Sequence, residues 1–174
     1  MRRRIWADCF KETKAMSDDN TNALPSVLVV DDNQQNLELL LAYLEDVGCT
    51  TVSATDGEQA LEIVRTNAPD IILLDVMMPK MSGFEVCRRV KNDPKTADIP
   101  VIMVTALSEI GDIERAINSG TDDFLSKPIN KWELLTRVRT MLKLKNLTDR
   151  LERTLAYLSE IEEQTQMAKN ERLP

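Results

Sequence analysis

From residue 26 onward the chain alternates short apolar runs with segments of helical period. Val27-Leu28-Val29-Val30 is a continuous apolar run, rich in β-branched residues, that ends on Asp31-Asp32. Leu37, Leu40, Leu41, Leu44 and Val47 then recur at helical spacing until Gly48. Thr51-Val52-Ser53-Ala54 predicts a second strand, followed by a helix carrying Ala60, Leu61 and Val64. Ile71-Ile72-Leu73-Leu74 predicts a buried strand ending on Asp75, and Pro79 and Gly83 mark the loop before a helix with Phe84, Cys87 and Val90. Val101-Ile102-Met103-Val104 ends on Thr105. A helix with Ile110, Ile113 and Ile117 leads through Gly120 to the short strand Asp123-Phe124-Leu125-Ser126, and a last helix follows Lys127-Pro128.

Five strands thus alternate with five helices. Apolar runs without polar alternation mark strands covered on both faces, as in a parallel doubly wound α/β sheet. Such sheets hold their ligand crevice at the carboxyl ends of the strands. Asp31, Asp32, Asp75, Thr105 and Lys127 all fall at such ends. Residues 1–25 predict a polar tail, 26–146 the α/β domain, and 147–174 a helical extension.

That extension follows from spacing. No Gly or Pro occurs between Pro128 and Pro174, and Leu144, Leu147, Leu151, Thr154, Leu158, Ile161, Thr165 and Ala168 alternate in steps of three and four. This is the seam of a coiled coil, here expected to be a parallel dimer, and it weakens toward its end. The competing expectation is one amphipathic helix folded back on the domain.

Composition narrows the chemistry. The chain contains no histidine, so imidazole bases, nucleophiles and ligands are excluded at once. Cys9, Cys49 and Cys87 are scattered, without the spacing of a disulfide framework or a zinc site. No apolar run reaches the ~20 residues of a spanning helix, so a soluble, cytoplasmic protein is expected. A net charge of −7 points away from direct nucleic-acid binding.

What remains is carboxylate, hydroxyl and lysine chemistry. Three carboxylates in one crevice repel each other and call for a divalent cation, and oxygen-only donors suit Mg2+ or manganese. A cation, Lys127 and the Thr105 hydroxyl around Asp75 would cradle a phosphoryl group while the carboxylate attacks phosphorus. Each motif alone has an ordinary reading. Asp31-Asp32 could cap a helix, Thr105 could be a turn residue, Lys127-Pro128 a loop, and Phe124 a core side chain.

Together, Val27-Leu28-Val29-Val30-Asp31-Asp32-Asn33, Leu73-Leu74-Asp75-Val76-Met77-Met78-Pro79-Lys80-Met81-Ser82-Gly83, Val104-Thr105-Ala106 and Lys127-Pro128 resemble the response regulator receiver domain of two-component signalling. The resemblance covers roughly residues 26–146. It implies a flavodoxin-like sheet of order 2-1-3-4-5, and Asp75 as acceptor of a phosphoryl group from a sensor histidine kinase or phosphotransfer protein. It further implies Mg2+ held by Asp32, Asp75 and the main-chain carbonyl of Met77, with Asp31 contributing through water. Lys127 would bridge to the phosphoryl group, and Thr105 and Phe124 would act as the switch pair. A cis Lys127-Pro128 peptide is implied too, and slow loss of the phosphoryl group is expected from apolar Met77 and Leu107. The expected role is a relay through the fourth and fifth helices and the C-terminal helix, not an enzyme, with any output domain lying outside this sequence. Two alternatives fit less well. A haloacid dehalogenase-type phosphatase needs an Asp-x-Asp motif at the first strand, and an inert coiled-coil scaffold would not need Asp75, Thr105 and Lys127 together.

Overall fold

In a computed structural model, residues 24–106 and 110–170 are described. The elements run β1 (Ser26–Val30), α1 (Gln34–Leu44), a 3-10 turn (Glu45–Val47), β2 (Thr50–Ala54), α2 (Gly57–Thr66), β3 (Ile71–Asp75), α3 (Gly83–Asn92), β4 (Val101–Thr105), α4 (Ile110–Asn118), β5 (Asp123–Ser126) and α5 (Lys131–Asn170). The sheet is parallel, with order β2-β1-β3-β4-β5, as expected. The tail lies outside the described residues except for Leu24 and Pro25, as does Leu107.

The apolar runs fill both faces of the sheet. Leu28, Val30, Ile72, Leu74, Val101 and Met103 pack against α2 and α3, whereas Val27, Val29, Ile71, Leu73, Ile102 and Val104 pack against α1 and α5. Alternate residues of each run thus face opposite cores, which is why the runs contain no polar positions. The edge strand β2 departs from this pattern: Thr50 to Ser53 are exposed and only Ala54 is buried. In α4 the expected stripe is shifted, since Ile117 is 65% exposed and Ala116 fills the core. Gly48, at φ 76°, ends the first helical unit in the left-handed conformation that glycine adopts at least cost.

At the lower end of the sheet two aspartates satisfy strand-start amides. Asp70 accepts from the Ser26 N–H at 2.7 Å, and Asp122 from the Val101 N–H at 2.7 Å. Lys91 bridges to Asp122 at 2.7 Å and donates to the carbonyls of Ala97 and Ile99. This half-buried lysine ties the end of α3 to the starts of β4 and β5, and the sequence pattern gave no sign of it.

Helix α5 has two apolar faces. Leu134, Leu135 and Val138 are buried, with Met141 and Leu142 partly so against the same core. Leu144, Leu147, Leu151, Leu155 and Leu158 are 49–59% exposed. At about 100° per residue, this second set lies on roughly the opposite side of the helix from the first. The leucines from Leu144 to Leu158 are therefore turned outward rather than packed on the domain, and the side chains of Thr165 and Ala168 lie outside the described residues.

One close approach fixes the upper end. A Cβ at Gly83 would collide with the Asp75 carbonyl oxygen and sit 2.9 Å from the Val76 Cα, both main-chain atoms that cannot swing aside. The Gly83 N–H also donates to the Val76 carbonyl at 3.0 Å. Gly83→Ala is expected to destabilise the fold by about 1–3 kcal/mol through overpacking, read as a lower urea midpoint with unchanged slope.

Candidate functional site

The strand register decides which side chains meet. Val30 pairs with Leu74, Asp75 with Val104, and Thr105 with Ser126. Asp31, Asp75, Thr105 and Lys127 therefore stand within two residues of each other along the carboxyl end of the sheet. Asp75 and Thr105 close their strands, and Asp31 and Lys127 follow immediately after β1 and β5.

Ligand oxygens of Asp31, Asp32 and Asp75 all lie within 4.8 Å of one another. Asp31 is 1% exposed and Asp75 3%, whereas Asp32 faces solvent. Lys127 spans the two buried carboxylates, with Nζ 2.9 Å from Asp31 Oδ2 and 2.8 Å from Asp75 Oδ1. The second Asp75 oxygen accepts the Met77 main-chain N–H at 3.1 Å, so the chain after β3 curls over the carboxylate.

The charges are not balanced. Burial pushes the Asp75 carboxyl above its ordinary value; Lys127 pulls it down, and Asp31 and Asp32 push it further up. Burial also acts to lower Lys127, but its hydrogen bonds and charge contacts with Asp75 and Asp31 outweigh that and raise it. One ammonium thus gains from two carboxylates while leaving Asp75 under-compensated. At an effective dielectric of ~20, two unit charges at such separation repel by roughly 3 kcal/mol. A second cation is the simplest relief. The donors are carboxylate oxygens, no histidine exists in the chain, and the described cysteines 49 and 87 belong to the cores, so the set fits a hard, oxygen-seeking divalent ion such as Mg2+.

Thr105 is buried, and its carbonyl accepts the Lys127 N–H at 2.7 Å, which joins the ends of β4 and β5. The Lys127-Pro128 peptide is cis, as expected. Phe124 is 39% exposed; the core position in β5 belongs to Leu125. The Met77 side chain is 62% exposed. The helix cap after β1 is neither Asp31 nor Asp32 but Asn33, whose side chain accepts from the Gln35 and Asn36 N–H groups. Both aspartates are therefore left for the crevice. Sequence reading missed Asn36, whose side-chain amide contacts Asp31, because an asparagine in a first helical turn looks like a capping residue.

The response regulator receiver domain profile matches residues 27–139. The chain belongs to the response regulator receiver domain family. Response regulator PleD of Caulobacter vibrioides is 47% identical over 125 residues, covering 72% of this chain and 28% of PleD. The DNA-binding dual master transcriptional regulator RpaA of Synechocystis is 41% identical over 128 residues, covering 74% and 52%. The chain thus spans between about a quarter and a half of these two relatives. Among solved structures, the receiver domain of the Francisella response regulator 1452 superposes with a TM-score of 0.64 at 34% identity, covering 68% of this chain and 97% of that one. A CheY-like receiver from Methanospirillum hungatei shares the fold, with a TM-score of 0.68 at 24% identity, covering 72% and 99%. The receiver is therefore a module of two-component signalling, a family whose members work with histidine kinases or phosphotransfer proteins. Among the described residues, no helix is long and apolar enough to cross a membrane.

Proposed function

We propose that the receiver accepts a phosphoryl group on Asp75 from the phosphohistidine of a sensor histidine kinase or phosphotransfer protein. The observation that carries this reading is one buried carboxylate, at a strand end, held by Lys127 and flanked by two more acidic groups. An Asp75 oxygen forms the bond to phosphorus as the phosphorus–nitrogen bond of the donor breaks, and the departing imidazole keeps the electron pair. Asp31, Asp32, Asp75 and the Met77 carbonyl would hold Mg2+, which supplies charge neutralisation for the oxygens around phosphorus. Lys127 moves from its carboxylate partners to a phosphoryl oxygen. Thr105 supplies a hydroxyl to another, and Phe124, exposed before transfer, turns inward behind Thr105.

The state then passes to the α4–β5–α5 side and along α5. The outward seam from Leu144 to Ile161 is the surface through which two copies associate, with residues 26–146 as the receiver and 147–174 as the coupling helix. The role is a relay rather than an enzyme, with no direct nucleic-acid contact by this segment. The test is saturable binding of beryllofluoride in the presence of magnesium, lost in Asp75→Ala, together with the mass of the protein in solution.

The aspartyl phosphate is expected to be long-lived. Its hydrolysis needs a water aligned opposite the carboxylate oxygen, and the thioether of Met77, two residues beyond the acceptor, cannot orient one. Met77→Asn should speed decay on the order of tenfold, about 1.4 kcal/mol in barrier. The measurement is loss of radiolabel from isolated phosphoprotein, and an unchanged rate would show that water enters regardless of this side chain.

A further inference from the structure

We propose that Asn36 is a positioning residue for the divalent-cation site, acting through Asp31; this rests on the reading of Asp31 as part of that site. The Asn36 side-chain nitrogen lies 3.0 Å from each of the two Asp31 carboxylate oxygens. Both of those oxygens are acceptors, so only the NH2 end of the amide can face them, with one N–H shared between the two. This shared bond restrains the rotation of the carboxylate. Two further donors complete the hold: the Asn33 N–H to Oδ1 at 2.9 Å, and Lys127 Nζ to Oδ2 at 2.9 Å.

The chemistry of the donor matters. A lysine or arginine at position 36 would cancel the charge of Asp31 and compete with a cation. A neutral amide orients the carboxylate and leaves its charge available. Asn36 also limits how firmly Asp31 grips Lys127. With the amide gone, Oδ2 keeps Lys127 as its sole partner among the bonds just described, and the carboxylate is free to rotate toward that ammonium. Lys127 would then be drawn from Asp75, the group it has to serve. The position of Asn36 is itself prepared by the neighbouring cap, because Asn33 Oδ1 accepts the Gln35 and Asn36 main-chain N–H groups at 2.9 and 3.4 Å. Helix capping is thus carried by Asn33, and the side chain of Asn36 is left for the site.

Asn36→Leu removes the amide donor while keeping a residue of similar size that favours helix. Isothermal titration of the full chain with Mg2+ should give a dissociation constant raised about tenfold or more, the range found when the group orienting a metal ligand is removed. On an Asp31→Asn background, adding Asn36→Leu should weaken Mg2+ binding by less than twofold, because the route through Asp31 is already cut. Asn36→Ser, which is too short to reach both oxygens, should repeat the single-variant loss if the leucine variant does not fold. Wild-type-like Mg2+ affinity in Asn36→Leu or Asn36→Ser, with normal binding by the wild type, overturns this inference alone. A loss that adds in full on the Asp31→Asn background overturns it too. Absence of Mg2+ binding by the wild type overturns the site reading and this inference together.

Discussion

Asp75→Asn should abolish labelling by acetyl phosphate and magnesium, and it should also make the protein more stable. Loss of labelling follows from chemistry, since an amide oxygen is a poor nucleophile and no other described carboxylate is buried against Lys127 except Asp31, whose oxygens are already occupied by Asn36, Asn33 and Lys127. Retained labelling in this variant would remove Asp75 as the acceptor. The gain in stability follows from the raised carboxyl of Asp75. A group whose folded pKa lies above its unfolded value favours the folded state at low pH, and that contribution is lost as pH rises through the folded value. At neutral pH the native charge therefore costs stability. The neutral isostere escapes this cost and leaves Lys127 paired with Asp31. The difference in melting temperature between variant and wild type, at about 2–4 °C per kcal/mol for a protein of this size, should grow with pH above the ordinary carboxylate range. It should vanish in acid below that range. A difference that ran the other way would place the stabilising role of the Asp75–Lys127 pair above the burial of its charge.

Leu151→Glu combined with Leu158→Glu should abolish the proposed dimerisation without unfolding the receiver. These leucines are 59% and 50% exposed and belong to neither core. A single chain therefore loses little by the change, whereas burying a leucine between two helices contributes about 1.5–3 kcal/mol. Two copies lose four such side chains and gain four carboxylates at the same contact. Sedimentation velocity with beryllofluoride and magnesium should give a dimer for the wild type and a monomer for the variant, with matching far-ultraviolet circular dichroism. Truncation after Met141 should likewise leave a folded monomer, because Leu134, Val138 and Met141 supply most of the α5 contribution to the core and only the partly buried Leu142 is lost. If the truncated receiver unfolds, the boundary of the autonomous unit lies further along the helix.

The sheet was legible because its central strands have no choice of face. Val27 to Val30, Ile71 to Leu74 and Val101 to Val104 are apolar throughout, and only a sheet covered on both sides buries such runs. Where one side is open the signal weakens: in β2 only the last residue is buried, and in α4 the exposed Ile117 breaks the expected stripe. Asp31, Asp75, Thr105 and Lys127 were legible as strand-end residues, and the register brings them to one edge. Asn36 and Lys91 were not. Asn36 acts on Asp31, and Lys91 on Asp122 and the carbonyls of Ala97 and Ile99, and hydrophobic period carries no information about polar pairs.

The unbroken 40 residues of α5 make the receiver and its extension one rigid shaft, and a shaft has a phase. Each residue advances the helix by about 100° and ~1.5 Å. Between the face that grips the sheet at Val138 and the outward face at Leu151, the angle is set by the number of residues alone. One residue inserted after Lys145 would turn everything beyond it by about a quarter of a circle, whereas seven would return it to within ~20° of its starting direction. The relative orientation of whatever grips the far end is therefore written as a count of residues, independent of their chemistry.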